Sequence, residues 1–228
     1  MKNVVINETG KASEFKPDVI FEKYLRLTEK DVKKEFSRKK NQAVSSCPAC
    51  RSKKTRIVFS HFGFKYVECL ACGSVYMNPR PLDADIKKHY LESASADFWR
   101  NTLSRKTVGK RKKKIYEKRF QWFRDIAQNY LPCATTIADF NSKDPEYTKE
   151  FLQNSYFRRK VVVNPYFDIL ALNNFDADIS SYSVIQELAN PFKDRGMIDI
   201  ACVFEAIDCF ADVELFLKTI NALLCKGG

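Results

Sequence analysis

Apolar β-branched and aromatic residues are frequent on both sides of Gly63, and the glycine interrupts them where a turn is expected. This pattern predicts two β-strands, residues 56–62 (RIVFSHF) and 64–68 (FKYVE), joined as a hairpin. The segment from Asn78 to Pro81 (NPRP) then ends regular structure, because its prolines cannot donate backbone hydrogen bonds.

Apolar residues recur at helical spacing in other parts of the first 131 residues. Thr28 and Asp31 match a capping box, which favours a helix that starts at Thr28. A much longer apolar face, which includes Ile115, Phe120 and Phe123, ends at Leu131-Pro132. The predicted segments are an irregular arm at 1–27 and helices at about 28–40, 83–90 and 104–129.

After residue 132 short buried strands alternate with helices, the order that is typical of a parallel sheet with helices on both faces. Pro145 is placed near the first turn of one of these helices, where its missing N–H costs nothing. The predicted strands are 135–140, 160–163, 178–184 and 198–204, and the predicted helices are 145–155, 165–173 and 213–224.

Two C-x-x-C pairs flank the predicted hairpin, with 18 residues between Cys50 and Cys69. This spacing is typical of structural zinc sites, in which four thiolates complete a tetrahedral shell. Two disulfides or a redox pair are the alternative interpretation. The sequence predicts a zinc ribbon whose ligands are Cys47, Cys50, Cys69 and Cys72, and it leaves four buried free thiols, Cys133, Cys202, Cys209 and Cys225.

The net charge of +11 is concentrated in the front half and the connector, since residues 100–125 hold 11 Lys or Arg against 2 Asp or Glu. The run from Lys110 to Lys114 (KRKKK) lies in the predicted long helix. It can bind nucleic acid, border a cleft for an anionic substrate, or be a solvated helix face.

The N-terminal residues lack the apolar run of a secretion signal, and no apolar stretch approaches the ~20 residues of a membrane-spanning helix. Free thiols together with a zinc site fit a reducing compartment. We therefore expect a cytoplasmic protein without a membrane partner.

The chain resembles the class I S-adenosylmethionine-dependent methyltransferases that carry an N-terminal zinc ribbon. The segments that carry this resemblance are CPAC (47–50), CLACGSVYMNPRP (69–81), HYLES (89–93), FW (98–99), IADF (137–140), VVVNP (161–165), IDIACVFEAID (198–208) and LLCKGG (223–228). The implied fold is α/β, a zinc ribbon followed by an incomplete Rossmann-like sheet with flanking helices. The implied regions are an N-terminal arm and helix (1–43), the ribbon (44–81), a helical basic connector (82–131) and a partial methyltransferase domain (132–228).

The resemblance implies that S-adenosylmethionine binds at the ends of the first two strands of this sheet, near Asp139, Asn141 and Asn164. Family members have a glycine-rich turn after the first strand, because a side chain there would keep the backbone away from the cofactor. The corresponding turn of this chain (DFNSKDP) has no glycine and carries Lys143 and Pro145 instead. We therefore expect weak or absent cofactor binding.

Two further departures concern the strand from Ile198 to Phe204. Cys209 follows it where many family members carry a histidine suited to acid–base chemistry. The chain ends at Gly228, before the strands that cover this one in the family. An apolar strand at a sheet edge is a pairing template, so we expect a homo-oligomer or a partner protein at this edge.

Three functions remain open from the sequence. The first is a methyltransferase-like protein with weakened or lost cofactor binding, for which the resemblance implies a small-molecule or sugar acceptor. The second is a non-catalytic scaffold, and the third is a nucleic-acid-binding zinc-ribbon protein that uses the basic helix. The residues do not identify a nucleophile–base pair, so no catalytic residue is assigned.

Overall fold

The computed structural model describes residues 10–37, 41–140, 142–164, 178–182, 197–207 and 210–228, with the backbone alone for 178–182. The chain is a mixed α/β protein with two sheets, a three-stranded antiparallel sheet and a four-stranded parallel one. Among the described residues, no helix is both long enough and apolar enough to cross a bilayer.

The antiparallel sheet contains the predicted hairpin and one strand that the sequence pattern did not indicate. Strands β1 (Thr55–His61) and β2 (Phe64–Cys69) pair across a turn in which Phe62 and Gly63 have φ of 48° and 83°. The additional strand β3 (Val75–Met77) pairs with β2, so β2 is the central strand.

The N-terminal region is helical over a longer stretch than predicted, in α1 (Ala12–Phe15) and α2 (Asp18–Phe36). The prediction of an irregular arm up to residue 27 is therefore wrong for these residues. Thr28 lies inside α2 and does not begin a helix, and its hydroxyl donates to the Tyr24 carbonyl one turn earlier, at 3.0 Å. Asp31 is buried and accepts instead from the backbone N–H of Ser95, at 2.6 Å.

After α3 (Asp83–Glu92), one continuous helix runs over residues 94–130 and confirms the predicted long helix, with a start ten residues earlier. Two π-helical segments interrupt its α-helical hydrogen bonding. In chain order it comprises α4 (Ala94–Phe98), π1 (Trp99–Ser104), α5 (Arg105–Arg111), π2 (Lys112–Tyr116) and α6 (Glu117–Tyr130).

The parallel sheet has the strand order β6-β5-β4-β7. Its helices are shorter than predicted by one or two residues, and the predicted helix at 165–173 lies outside the described residues. The strands are β4 (Thr136–Phe140), β5 (Arg159–Val163), β6 (Asp178–Tyr182) and β7 (Ile200–Cys202), and the helices are α7 (Pro145–Gln153) and α8 (Val213–Leu223).

Both faces of this sheet are covered by apolar side chains. On one face Ile137 packs with residues of α6 and α7, including Phe123 and Phe151. On the other face Phe140 packs with Phe216 of α8 and its neighbours. Alternate residues of β4 therefore serve opposite layers, as expected for a strand buried on both faces.

Strand β7 lies at the edge of the sheet, but its apolar side chains are not exposed as predicted. Ile200 and Cys202 are buried, and so is Ile198 just before the strand. The C-terminal segment pairs with the start of this edge, since the Cys225 N–H donates to the Ile198 carbonyl at 2.9 Å. A partner at the remaining edge stays a prediction.

Candidate metal centre and ligand cavity

The side chains of Cys47, Cys50, Cys69 and Cys72 converge, with their Sγ atoms all within 4.8 Å of one another. The Cys47 and Cys72 sulfurs are 3.7 Å apart, and the Cys50 and Cys69 sulfurs are 3.5 Å apart. A tetrahedral zinc with Zn–S bonds of about 2.3 Å would require sulfurs about 3.8 Å apart. The four cysteines are therefore close enough to hold a metal ion, and the spacing is compatible with zinc.

Two equivalent turns present the four thiols. In each turn the N–H of the residue after the second cysteine donates to the first cysteine's carbonyl at 2.9 Å, from Arg51 to Cys47 and from Gly73 to Cys69. Arg51 and Gly73 both have positive φ, 63° and 74°. The repeated pattern C-x-A-C-x-S (47–52 and 69–74) is the sequence signal of this equivalence.

The electrostatics of the cluster favour a bound cation. Hydrogen bonding by Ser74 lowers the pKa of Cys72 to about 6, and their Sγ and Oγ atoms lie 3.2 Å apart. The Ser52 backbone N–H favours the thiolate of Cys50, but the neighbouring sulfurs outweigh it and raise the pKa of Cys50 to about 12. Because crowded thiolates repel each other, a divalent cation would stabilise all four.

Arg51 also connects this centre to the parallel sheet. Its guanidinium lies 3.0 Å from the Asp212 carboxylate and 2.6 Å from the Glu214 carboxylate, at the start of α8. Asp212 caps α8 by accepting from the Leu215 N–H at 3.0 Å. The residue that closes one cysteine turn is therefore ion-paired to a helix that covers the parallel sheet.

The other cysteines of the described residues show no comparable arrangement. Cys202 is buried as predicted, and burial raises the pKa of its thiol. Cys225 is half-buried, with its Sγ 3.2 Å from an Asp199 oxygen. Cys133 is exposed, so the prediction of burial is wrong there, because it lies in the turn between α6 and β4. Cys209 lies outside the described residues.

A cavity of about 220 Å³ lies at the carboxyl ends of β4 and β7. Residues 142–144 follow β4 and residues 204–205 follow β7, and both segments line it. The chain adds β5 and β6 on one side of β4 and then β7 on the other side, so the cavity lies where the strand order reverses. Ligands of open parallel sheets bind at such switch points.

The long helix supplies much of the cavity wall from its two π-helical segments and the turns beside them. Trp99 and Arg100 belong to π1, Tyr116 belongs to π2, and Arg111 and Arg119 adjoin π2. π-Helical segments are frequent at functional sites. Among these cations, only Arg111 belongs to the basic run 110–114 that the sequence singled out; Arg100 and Arg119 lie outside that run and have no local signal.

Asp144 is the most heavily hydrogen-bonded acid at this cavity. Its carboxylate accepts from the Ser104 hydroxyl at 2.9 Å and from the Tyr116 hydroxyl, and Arg111 lies 3.5 Å away. It also caps α7 by accepting from the Glu146 N–H at 3.2 Å. Burial and the Asp144 charge raise the pKa of Tyr116. Asp144 therefore ties the turn after β4 to the long helix.

Two buried polar groups beside the cavity lack hydrogen-bond partners among the described residues. They are the carboxylate of Asp139, which is 0% exposed, and the hydroxyl of Tyr147, which is 1% exposed. Burial raises the pKa of Asp139 to about 7, although the Arg119 charge and the Ser142 backbone N–H act in the opposite direction. Burial also raises the pKa of Tyr147. Of the two, Tyr147 lines the cavity.

No protein-family model, curated protein or solved structure matches this chain.

The residues expected near a cofactor have different environments. Asp139 is enclosed in the sheet, and Asn164 is buried at the end of β5, where its amide donates to the Ser142 carbonyl. Neither lines the cavity, and Asn141 lies outside the described residues. Lys143 does line it, with its ammonium 5.4 Å from the centre of the Tyr90 ring. The assignment of these residues to a cofactor stays a prediction.

The basic run from Lys110 to Lys114 is partly neutralised by acids. Lys112 lies 2.9 Å from a Glu150 oxygen, and Lys114 pairs with Glu14 of α1. Lys110 and Lys113 are exposed, and neither has an ion pair within the described part of the chain. The run is a weaker polyanion surface than its sequence suggests.

Proposed function

We propose that this protein is a relative of the class I S-adenosylmethionine-dependent methyltransferases with an N-terminal zinc ribbon, in which cofactor binding is weak or lost. The observation that carries the proposal is the parallel sheet in the order β6-β5-β4-β7 with a cavity at its switch point. This is the part of a Rossmann-like sheet that binds a nucleotide-type ligand.

The fit of S-adenosylmethionine to this site is poor. A cofactor of this size needs the backbone of the turn after β4 to be open. In this chain the Asn164 amide binds the Ser142 carbonyl, Lys143 lines the cavity, and Asp144 is held by Ser104. The turn is occupied by the chain's own side chains, so we assign no methyl-transfer step.

The metal centre supports the other half of the proposal. A zinc ribbon needs two cysteine turns at the ends of a short hairpin, and the two turns here adjoin β1 and β2. In this proposal the ion is structural, because four cysteine ligands leave no position for a substrate or water.

Isothermal titration calorimetry on the full-length, zinc-loaded chain tests the proposal. We expect S-adenosylmethionine to bind with a dissociation constant well above the micromolar range that is ordinary for enzyme ligands. The double variant Lys143→Gly with Pro145→Gly restores two of the small residues of the turn and should strengthen binding. Low-micromolar binding by the unaltered chain would contradict the loss of cofactor binding.

A non-catalytic scaffold is compatible with the same fold and would give the same titration result. Nucleic-acid binding is supported less well, because Lys112 and Lys114 have acidic partners within the chain.

A further inference from the structure

We propose that the cavity at the ends of β4 and β7 binds a small organic phosphate. The inference concerns the same cavity as the proposed function and rests on it for the loss of S-adenosylmethionine binding. It is carried by the surplus of positive charge in the wall, by a buried hydroxyl without a partner, and by the size of the cavity.

The wall is rich in cations. Four basic side chains line the cavity, against the two carboxylates of Asp144 and Glu205. The basic residues are Arg100, Arg111, Arg119 and Lys143. S-adenosylmethionine carries a net positive charge, so this wall repels it and attracts an anion.

Arg100 supplies a cation without a carboxylate partner among the described residues. Its guanidinium donates to the carbonyls of Tyr90 and Leu91, the latter at 3.1 Å, at the C-terminal end of α3. These contacts fix the orientation of the side chain and leave other N–H groups of its planar fork for a ligand. Lys143 lies over the Tyr90 ring, so both charges are grouped around Tyr90.

The hydroxyl of Tyr147 is the second observation that indicates a ligand. The Tyr147 side chain lines the cavity, and its hydroxyl is buried without a hydrogen-bond partner among the described residues. A buried hydroxyl without a partner costs free energy that a bound polar group removes. An oxygen of an organic phosphate can accept this hydrogen bond.

The cavity volume indicates more than a bare ion. Liquid water occupies about 30 Å³ per molecule. The cavity of about 220 Å³ therefore has room for a phosphate with a small organic part. It is below the ~300 Å³ at which pockets for drug-sized ligands begin, so we do not expect a dinucleotide.

Glu205 pairs with a cation at one side of the cavity. Its carboxylate lies 2.7 Å from Arg119 and its side chain is 81% exposed, while its backbone has φ of 55°. A non-glycine residue held at positive φ is strained, and such strain occurs most often at binding sites. Glu205 therefore competes with an anionic ligand for Arg119.

Calorimetric titration of the full-length chain with inorganic phosphate, glycerol 3-phosphate and adenosine 5′-monophosphate tests this proposal. We expect an organic phosphate to bind more tightly than inorganic phosphate. Lys143→Gln and Arg100→Gln should each weaken that binding about tenfold or more, because each removes a charge-assisted contact. Glu205→Gln should strengthen it, since Arg119 then loses its ion pair with the Glu205 carboxylate.

Lys113→Gln is the matched control. It removes an equal positive charge from the long helix that also carries Arg100, at a position outside the cavity. It should leave binding unchanged. Arg100→Gln also removes contacts to α3, so circular dichroism melts accompany each variant, and Lys143→Gln tests the site without that change.

Several outcomes would overturn the inference. They are no heat of binding with any of the three phosphates, an equal loss in Lys113→Gln, and weaker binding in Glu205→Gln. A separate S-adenosylmethionine titration distinguishes the two proposals. Absence of binding for every ligand overturns the phosphate site alone, whereas tight S-adenosylmethionine binding overturns the loss of cofactor binding.

Discussion

Replacement of the buried carboxyl of Asp139 with a neutral amide should change how stability depends on pH. Asp139 is 0% exposed in the middle layer of the parallel sheet, and burial raises its pKa to about 7 from the ordinary 3.8. A pKa difference of this size corresponds to about 4 kcal/mol between the folded and unfolded chains. We predict that Asp139→Asn removes this cost.

The sign follows from which state holds the proton. Below about pH 4 the carboxyl is protonated in both states, so it costs nothing. As pH rises, the unfolded chain loses its proton first and the folded chain is progressively destabilised, until the cost is complete above about pH 7. The advantage of Asp139→Asn should therefore grow by about 3 kcal/mol between about pH 5 and about pH 8. A constant cost of burying the amide does not alter this slope.

Urea unfolding, followed by tryptophan fluorescence, measures the effect. Both tryptophans contribute to this signal: the Trp122 ring, which is half exposed, lies 6.0 Å from that of Phe204 just after β7, and the Trp99 ring lies 5.0 Å from that of Tyr24. The unaltered protein and Asp139→Asn contain the same cysteine cluster, so the titration of its thiols cancels when their free energies of unfolding are subtracted. Unequal dependence on urea concentration would indicate an altered unfolded state rather than an altered carboxyl.

Asp199→Asn is a control of opposite sign. Burial opposes ionisation of Asp199, but the N–H groups of Thr136 and Thr135, each 2.8 Å away, lower its pKa. The ionised Asp199 carboxylate therefore stabilises the folded chain at pH values above its ordinary pKa, and this stabilisation is lost as pH falls. Asp199→Asn should accordingly destabilise the protein most at neutral pH. If the Asp139→Asn advantage stays constant or shrinks as pH rises, the assignment of a neutral buried carboxyl is refuted.

Four other predictions concern the metal, one turn and two surfaces. Elemental analysis should find about one zinc per chain, lost in Cys69→Ser and kept in Cys133→Ser, and a metal-free chain with intact thiols would contradict the site. In calorimetric melts Arg51→Ala should lower the melting temperature more than a glycine substitution, because glycine adopts positive φ freely; equal losses would show that the turn is not strained. Reversal of the charges at residues 110–114 should abolish polyanion binding measured by anisotropy, and an affinity independent of salt would refute an electrostatic surface. Val203→Lys should dissociate an oligomer formed at the edge of β7, whereas a monomer of the unaltered chain in light scattering at high concentration would exclude it.

The parts of the fold that the sequence predicted are those that local patterns determine. Apolar β-branched and aromatic residues on both sides of Gly63 indicated β1 and β2, short buried runs indicated β4 and β5, and the paired cysteines indicated the four-cysteine cluster. The start of α7 was also recognisable, because Pro145 is tolerated in the first turn of a helix, and the structure adds Asp144 as its cap.

The predictions failed in two situations. In one, a residue's structural role depends on a contact with residues far away in the sequence; in the other, the same residue type has two possible local roles. Thr28 can cap a helix or bond back within one, and the side chain alone does not distinguish these uses. The residues that line the cavity extend in sequence from Tyr24 to Glu205. Its arginines form a group only in the folded chain, where the long helix lies beside the ends of β4 and β7. Nothing in the local pattern indicated that the backbone hydrogen bonds would change from α-helical to π-helical spacing at π1.

The continuous helix formed by the 37 residues 94–130 is about 55 Å long. Near one end the Trp99 ring lies 5.0 Å from that of Tyr24 in α2, and near the other end Phe123 is buried against the parallel sheet. A change in the angle between the front helices and the sheet would therefore bend this helix, and π-bulges are among the places where helices bend. Because residues of both π1 and π2 line the cavity, bending of the helix at these segments would widen or narrow the cavity. A ligand bound there would therefore oppose that bending.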